Sequence, residues 1–144
     1  MDLDQMKERC GNEFKFVAVV YLEGFKFVYD GYSEKRKGAV ANIVECSGEK
    51  VWGVLYEITE NAEKKLDENE GYPFTYQKRY VTVKDKEGKE YKAFVYLRKP
   101  QEIGKPSKDY MNQIIKAAYA HKLPSSYIEK YLRVSDVSWV NYFI

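Results

Sequence analysis

The sequence predicts an α+β domain in which a small, mixed β-barrel, or a partly closed sheet, is flanked by helices. Three observations support this fold class. About six segments with strand character are separated by turns that contain glycine. Three or four amphipathic segments lie before, between and after those strands. The 14 tyrosines and 7 phenylalanines are typical of strands, and they can also line a pocket with hydroxyl groups.

The first half of the chain should begin with a helix and continue as strands. Residues 2–9 carry acidic side chains first and basic ones last, which suits the helix dipole, and Gly11 should end the helix. Strands are then predicted over residues 14–21, 25–30, 39–45 and 50–58. The turns between them are expected at Glu23-Gly24, Asp30-Gly31-Tyr32-Ser33 and Ser47-Gly48.

The second half should combine helices with a long hairpin. Thr59 is the expected N-cap of a helix over residues 60–69 that turns Ala62 and Leu66 inward. Strands over 75–83 and 90–97 should flank a charged turn. Ser107 should start a helix over 108–121, and its helical spacing predicts a buried face made of Met111, Ile114, Ile115 and Ala118.

The chain should end in a helix over residues 126–133 and an apolar tail over 134–144. We expect the tail either to form a final strand packed on the body of the domain or to mediate self-association.

Charge and composition exclude several classes of function. The 144 residues are expected to form a single domain, residues 1–144. The net charge of +2, with lysine and glutamate interspersed, provides no basic patch for nucleic acid or for a membrane surface. No apolar run approaches the ~20 residues that span a bilayer. One histidine and two well-separated cysteines argue against a zinc site. No cofactor is therefore expected, and a cytoplasmic location with free thiols is the default.

The most unusual polar position is Glu70, at the predicted end of the second helix. Gly71 can adopt the left-handed conformation that closes a helix, yet the C-terminal end of a helix disfavours a carboxylate. We therefore interpret Glu70 as a residue placed for chemistry, and a solvated surface glutamate is the alternative. Asp67 lies on the same helical face, but we expect a solvated helix residue there and not the partner of a carboxylate pair.

Four tyrosines follow Glu70 along the chain and could accompany it in a pocket: Tyr72, Tyr76, Tyr96 and Tyr110. Taken alone, tyrosines in such strands are more often core filler than ligands.

Five segments, taken in order, resemble the γ-glutamylcyclotransferase-like family. They are Val51-Trp52-Gly53-Val54-Leu55-Tyr56, Leu66-Asp67-Glu68-Asn69-Glu70-Gly71 with Tyr76 beyond it, Ala93-Phe94-Val95-Tyr96-Leu97, Pro106-Ser107-Lys108-Asp109-Tyr110 and Leu123-Pro124-Ser125-Ser126-Tyr127. Their order and spacing agree over about residues 1–132. No single segment is decisive, but the ordered series is specific.

This resemblance implies the cyclisation of a γ-glutamyl amide to 5-oxoproline with release of the amine, and hence a small γ-glutamyl substrate as the partner. It implies that Glu70 is the catalytic proton-transfer residue, that Tyr110 binds the substrate, and that Tyr76 and Tyr96 are substrate-binding pocket tyrosines. A single carboxylate suits this chemistry, because it can deprotonate the substrate's own α-amine and then protonate the departing amine.

The chain departs from the family pattern at its beginning. The family opens with a strand that ends in a Tyr-Gly-Ser-Asn loop, and Met1 would follow directly after the position of that loop. We interpret this departure as an N-terminal truncation that removes the first strand, and a natural variant that no longer catalyses is the alternative. A missing strand would expose a sheet edge, so we expect self-association through that edge or through the tail. The rival to the enzyme is a non-catalytic small-molecule-binding or protein-interaction domain on the same fold.

Overall fold

The computed structural model describes residues 1–134, which form helices packed on an antiparallel sheet and confirm the α+β class. The order of elements is α1 (Leu3–Cys10), β1 (Phe14–Ser33), β2 (Gly38–Ile58), α2 (Glu60–Glu70), β3 (Gln77–Asp85), β4 (Glu90–Leu97), α3 (Lys108–Ala120) and α4 (Ser125–Tyr127), and α4 continues as a π-helical segment, Ile128–Leu132. The tail predicted over residues 134–144 lies outside the described residues except for Val134.

The predicted starts of α2 and α3 are confirmed by their capping hydrogen bonds. Thr59 Oγ1 accepts from the backbone N–H of Ala62 at 3.1 Å, and Ser107 Oγ accepts from that of Tyr110 at 3.3 Å. Each bond satisfies one of the N–H groups that a helix leaves unpaired in its first turn. These caps fix where both helices begin, and the site described below depends on side chains of both.

β1 and β2 form one long, bent hairpin in place of the four shorter strands predicted from the sequence. The turns expected at Glu23-Gly24 and Ser47-Gly48 are wrong, because the strand register passes there from Glu23 opposite Lys50 to residue 25 opposite residue 45. Gly24 and Gly48 have φ angles of 82° and 83°, so both strands bend at a bulge without reversing. The third expected turn is a further irregularity in β1, and the chain reverses over residues 34–37.

The four strands form one sheet in the order β2-β1-β3-β4. β1 pairs with β2 along most of its length, whereas it pairs with β3 only at Val20 opposite Asp85 and Tyr21 opposite Lys84. Because β2 and β4 lie at the two edges, the sheet of residues 1–134 is open, and "barrel" describes it only loosely.

Two apolar clusters attach the helices to this sheet. The helical C-terminal region packs on the β1–β2 hairpin through a core of Tyr29, Ala39, Met111, Ile115, Ala118, Leu123, Tyr127, Ile128 and Leu132. α1 and α2 meet in a smaller cluster of Cys10, Ala62 and Leu66. The predicted buried face of α3 is largely confirmed, with Ile114 at the margin of the core. None of the helices within residues 1–134 is long and apolar enough to cross a membrane.

A buried ion pair connects the hairpin to the segment that follows β4. Asp30 is 0% exposed and Arg98 is 7% exposed, and their Oδ1 and Nη1 atoms lie 2.6 Å apart. Asn42 of β2 donates to Asp30 Oδ2 at 3.0 Å and accepts from the backbone N–H of Arg98 at 3.2 Å. The Gln101 N–H also donates to Asp30 Oδ2, at 3.1 Å. Both charges are therefore paired and hydrogen-bonded, which is the condition for tolerating them in the interior.

We predict that removing one member of this pair destabilises the fold strongly. Asp30→Ala leaves the buried guanidinium of Arg98 without its counter-ion, and such a loss costs about 3–5 kcal/mol of unfolding free energy. The control is Glu45→Ala, which breaks an exposed pair with Arg79 and should cost less than about 1 kcal/mol. Urea unfolding of both variants measures the difference. Equal losses would contradict a structural role for the buried pair.

Candidate functional site

A cavity of about 630 Å³ lies where α1, the end of α2, the β1–β2 hairpin and α3 come together. Four of the five residues that the sequence suggested for a pocket line it, namely Glu70, Tyr76, Tyr96 and Tyr110, whereas Tyr72 does not. Cationic side chains that the sequence analysis did not select also line it: Arg9, Lys35, Arg36 and Arg98. The cavity thus combines one half-buried glutamate with tyrosine hydroxyls and guanidinium groups.

Glu70 is the last residue of α2, where the backbone conformation presents its carboxylate to the cavity. Gly71 has a φ of 65°, and the N–H of Tyr72 donates to the carbonyl of Asp67 at 2.9 Å, which closes the helix. The side chain of Glu70 is 22% exposed, and its Oε1 lies 3.4 Å from Nη1 of Arg9. The solvated surface glutamate that position alone allowed is therefore not what the structure contains.

Burial governs the acidity of Glu70. Desolvation raises the pKa of its carboxyl group above the ordinary glutamate value, and the charge of Arg9 opposes that rise without cancelling it. The end of a helix adds no stabilisation for a carboxylate, because the backbone carbonyls there carry partial negative charge. A carboxyl group in this environment exchanges protons closer to neutral pH than a surface glutamate does.

Asp67, one helical turn before Glu70, is not the solvated residue that the sequence analysis expected. Its carboxylate accepts from Tyr96 Oη at 2.5 Å and lies 2.9 Å from Nζ of Lys78, which also contacts Glu63 at 2.8 Å. Burial alone would raise the pKa of Asp67, but the hydrogen bonds from Tyr96 and Lys78 outweigh it and hold that pKa below its ordinary value. Asp67 is therefore an ionised structural acceptor, and it makes no pair with Glu70.

The three cavity tyrosines differ in the direction of their hydrogen bonds. Tyr96 donates its hydroxyl proton to the Asp67 carboxylate, so that proton is already used. Tyr76 Oη accepts from Nε of Arg98 at 3.2 Å, and Tyr110 Oη accepts from the N–H of Ala41 at 3.0 Å. Because a guanidinium and a backbone N–H can only donate, the hydroxyls of Tyr76 and Tyr110 keep their own protons for a further acceptor.

Burial also keeps Tyr110 protonated. Desolvation raises the pKa of its hydroxyl, so the group remains a neutral hydrogen-bond donor across the physiological range. Arg98 is not available to a ligand in the same way, because its guanidinium is ion-paired with the Asp30 carboxylate and donates to Tyr76 and to the carbonyls of Asp30, Val40 and Ala41.

The arginines that line the cavity were not selected from the sequence. Arg9 lies in the last turn of α1 and Arg98 follows β4, and the local sequence around each is typical of a solvated charge. Their partners Glu70 and Asp30 are 61 and 68 positions away along the chain. The only local signal was Arg98 directly after an apolar strand, where a charge must either turn to solvent or find a buried partner.

Comparison with known proteins adds an independent line of evidence. Residues 50–131 match the AIG2-like family. Over 120 residues the chain is 32% identical to the γ-glutamylcyclotransferases of Mus musculus and of Homo sapiens, and the alignment covers 80% of this chain and 64% of each relative. The chain therefore spans less than two thirds of the length of these curated relatives.

A solved structure of a γ-glutamyl cyclotransferase has the same fold. It superposes with a TM-score of 0.86 at 27% identity, and the superposition covers 97% of this chain and 85% of the other. The region that matches the AIG2-like family contains Glu70 and the three cavity tyrosines, whereas Arg9 and Arg36 lie before it.

We predict that Arg9→Gln raises the pKa of Glu70 further, because it removes the cation that opposes the effect of burial. Carboxyl ¹³C NMR titration measures this shift, and Lys7→Gln on the exposed face of α1 is the matched control. A raised pKa in the folded state means that Glu70 contributes stability below the ordinary glutamate pKa and loses it as pH rises through the raised value. The free energy of unfolding of Arg9→Gln should therefore fall more than that of the wild type as the pH rises toward neutral. An unchanged or lower pKa in this variant would contradict the pairing.

Proposed function

This chain belongs to the AIG2-like, γ-glutamylcyclotransferase-like family, and from that premise we propose that it converts a γ-glutamyl amine or γ-glutamyl amino acid into 5-oxoproline and the free amine. The observation that supports this most is the half-buried Glu70 carboxyl group, with its raised pKa, in a cavity where Tyr76 and Tyr110 keep hydroxyl protons to donate. The reaction needs such a group, since the attacking amine is protonated at neutral pH and the departing amine must gain protons.

Glu70 is proposed to carry the protons between the two nitrogens. Its carboxylate takes a proton from the substrate's α-ammonium group, and the freed lone pair attacks the γ-carbonyl carbon to close a five-membered ring. The bond from that carbon to the departing nitrogen then breaks, and Glu70 delivers its proton to that nitrogen. Over the whole reaction, two protons leave the attacking nitrogen and two arrive on the amine released as an ammonium ion, so Glu70 can act in turn as base and acid.

The other residues of the cavity are proposed to position the substrate and to stabilise the charge that develops during the reaction. Because the nucleophile and the carbonyl belong to one molecule, holding the γ-glutamyl group folded supplies much of the acceleration, on the order of several kcal/mol. Negative charge develops on the carbonyl oxygen during attack and requires hydrogen-bond donors aimed at it. Tyr76 and Tyr110 are proposed for this role, since their hydroxyl protons are free, while Tyr96 is proposed to shape the pocket wall.

The experiment that tests the reaction uses the chain with γ-glutamyl amino acids, γ-glutamyl amines and glutathione, and detects 5-oxoproline by mass spectrometry. We predict that Glu70→Gln lowers kcat by about 10²- to 10⁴-fold, because it removes the proton carrier while keeping the shape of the side chain. Glu68→Gln, on the exposed side of the same helix, is the matched control and should retain full activity.

Two outcomes would contradict these assignments separately. If neither the wild-type chain nor a version with the family's first strand and Tyr-Gly-Ser-Asn loop restored before Met1 releases 5-oxoproline from any compound, the enzyme is not of this type, and the non-catalytic binding domain becomes the better interpretation. If the wild type is active and Glu70→Gln is equally active, the reaction stands but Glu70 is not its proton carrier.

The hydrogen-bond directions predict a difference between two otherwise similar tyrosine variants. Tyr76→Phe removes a hydroxyl whose proton is free, and it should lower kcat by roughly 10²-fold with little change in KM, as expected for the loss of one oxyanion donor. Tyr96→Phe removes a hydroxyl that donates its proton to Asp67, so its effect on kcat should be much smaller. Steady-state kinetics on one substrate compares them, and similar losses in both would argue against Tyr76 as the donor.

A further inference from the structure

Within the described residues, two cations of the cavity have no anionic partner: Lys35, which is exposed, and Arg36, which is half-buried. Arg9 pairs with Glu70, and Arg98 pairs with Asp30. Arg36 also lines the cavity and is half-buried, yet the contact of its guanidinium is with the ring of Tyr110, whose centroid lies 5.2 Å from Cζ. A half-buried guanidinium with a free donor edge is suited to an anion from outside the protein.

The backbone around Arg36 is held in place by the start of α3. Arg36 lies in the turn of residues 34–37, and its N–H donates to Ser33 Oγ at 3.2 Å. At Gly38 a Cβ atom would lie 2.7 Å from the backbone nitrogen of Ser107, so only glycine allows the hairpin to dock this closely. The N–H of Ala39 donates to the carbonyl of Lys105 at 2.9 Å, which completes the docking.

The same docking positions Tyr110 beneath Arg36. Ser107 caps the helix through the N–H of Tyr110, and the hydroxyl of Tyr110 accepts from Ala41 of β2 at 3.0 Å. The aromatic ring is therefore held at both ends, and the cation–π contact of Arg36 with it uses none of the N–H donors of the guanidinium. The planar fork of Arg36 thus stays available, and its geometry matches the two oxygens of a carboxylate.

We propose that Arg36, whose guanidinium lies over the ring of Tyr110, forms a carboxylate-binding subsite of this cavity. The proposal rests on the proposed function, because every γ-glutamyl substrate carries an α-carboxylate and a γ-glutamyl amino acid carries a second one on its leaving group. The shared chemistry is a carboxylate held by the fork of Arg36. Which of the two carboxylates is bound decides whether Arg36 positions the glutamyl part or selects the leaving amine.

Three substrates separate these two sources. γ-Glutamyl-alanine carries both carboxylates, γ-glutamyl-alanine amide carries only that of the glutamyl part, and 4-aminobutanoyl-alanine carries only that of the leaving group. Arg36→Gln should raise KM by about 10- to 100-fold for every substrate that has the recognised carboxylate, the range expected for charged hydrogen bonds. Its KM for the substrate that lacks that carboxylate should match the wild-type value.

The controls separate this role from net charge and from folding. Lys37→Asn removes the same charge from the same turn, tolerates the positive φ of 56° found there, and does not line the cavity. Arg36→Lys keeps the charge but loses the planar fork, so it should recover only part of the affinity. If Arg36→Gln and Lys37→Asn have the same KM for all three substrates, the proposed subsite is wrong.

A binding measurement makes the result independent of turnover. Calorimetric titration of the Glu70→Gln protein with each compound should show affinity that Arg36→Gln removes in the same background. If the chain releases no 5-oxoproline either as given or with the family's first strand and loop restored, the proposed function is overturned, while calorimetry still decides the subsite. An active wild type whose affinity and KM are unaffected by Arg36→Gln overturns the subsite alone.

Discussion

The buried ion pair between Asp30 and Arg98 holds the two hairpins of this fold together. It connects β1 to the segment after β4, although β1 and β3 share only a short stretch of strand pairing. Charges of this kind rarely add stability over apolar packing, but they tolerate few alternative arrangements. The pair therefore fixes how the two hairpins approach each other, and the cavity lies within that arrangement.

The same arginine determines what one cavity tyrosine can do. Arg98 uses its Nη atoms on Asp30 and on backbone carbonyls, and it directs Nε at the hydroxyl of Tyr76. A structural interaction thus sets the direction of a hydrogen bond at the site. At Tyr96 the hydrogen bond runs the other way: Asp67, which is paired with Lys78, is ionised, and its carboxylate accepts the hydroxyl proton of Tyr96. Tyr76 and Tyr96 look equivalent in the sequence, but only Tyr76 has a hydroxyl proton left to donate.

Glu70 shows how position and burial combine to adjust an acid. A carboxylate at the N-terminus of a helix is stabilised by the helix dipole, but Glu70 lies at the C-terminus of α2 and is not. The surrounding protein also excludes part of the water that would solvate its charge. The positive charge of Arg9, on α1, partly stabilises the ionised carboxylate of Glu70. The pKa thus rises without the carboxyl group becoming an unpaired buried charge, which is the balance that a group acting as both base and acid needs.

The elements that could be predicted from the sequence are those whose signals are local. The caps at Thr59 and Ser107, the inward stripes of α2 and α3, and the helix end at Gly71 all follow from interactions within a few residues. It also placed Glu70 and three tyrosines at one candidate site, through spacing that resembles a known family. The bulges at Gly24 and Gly48 were misassigned as turns, because a glycine with positive φ serves either purpose and only the partner strand decides. Three contacts could be seen only in the tertiary structure: the pairing of Arg98 with Asp30, the hydrogen bond from Arg98 that leaves the Tyr76 hydroxyl proton available, and the position of Arg36 over the ring of Tyr110. Each joins residues that are distant in the chain, so it follows from packing and has no local signal.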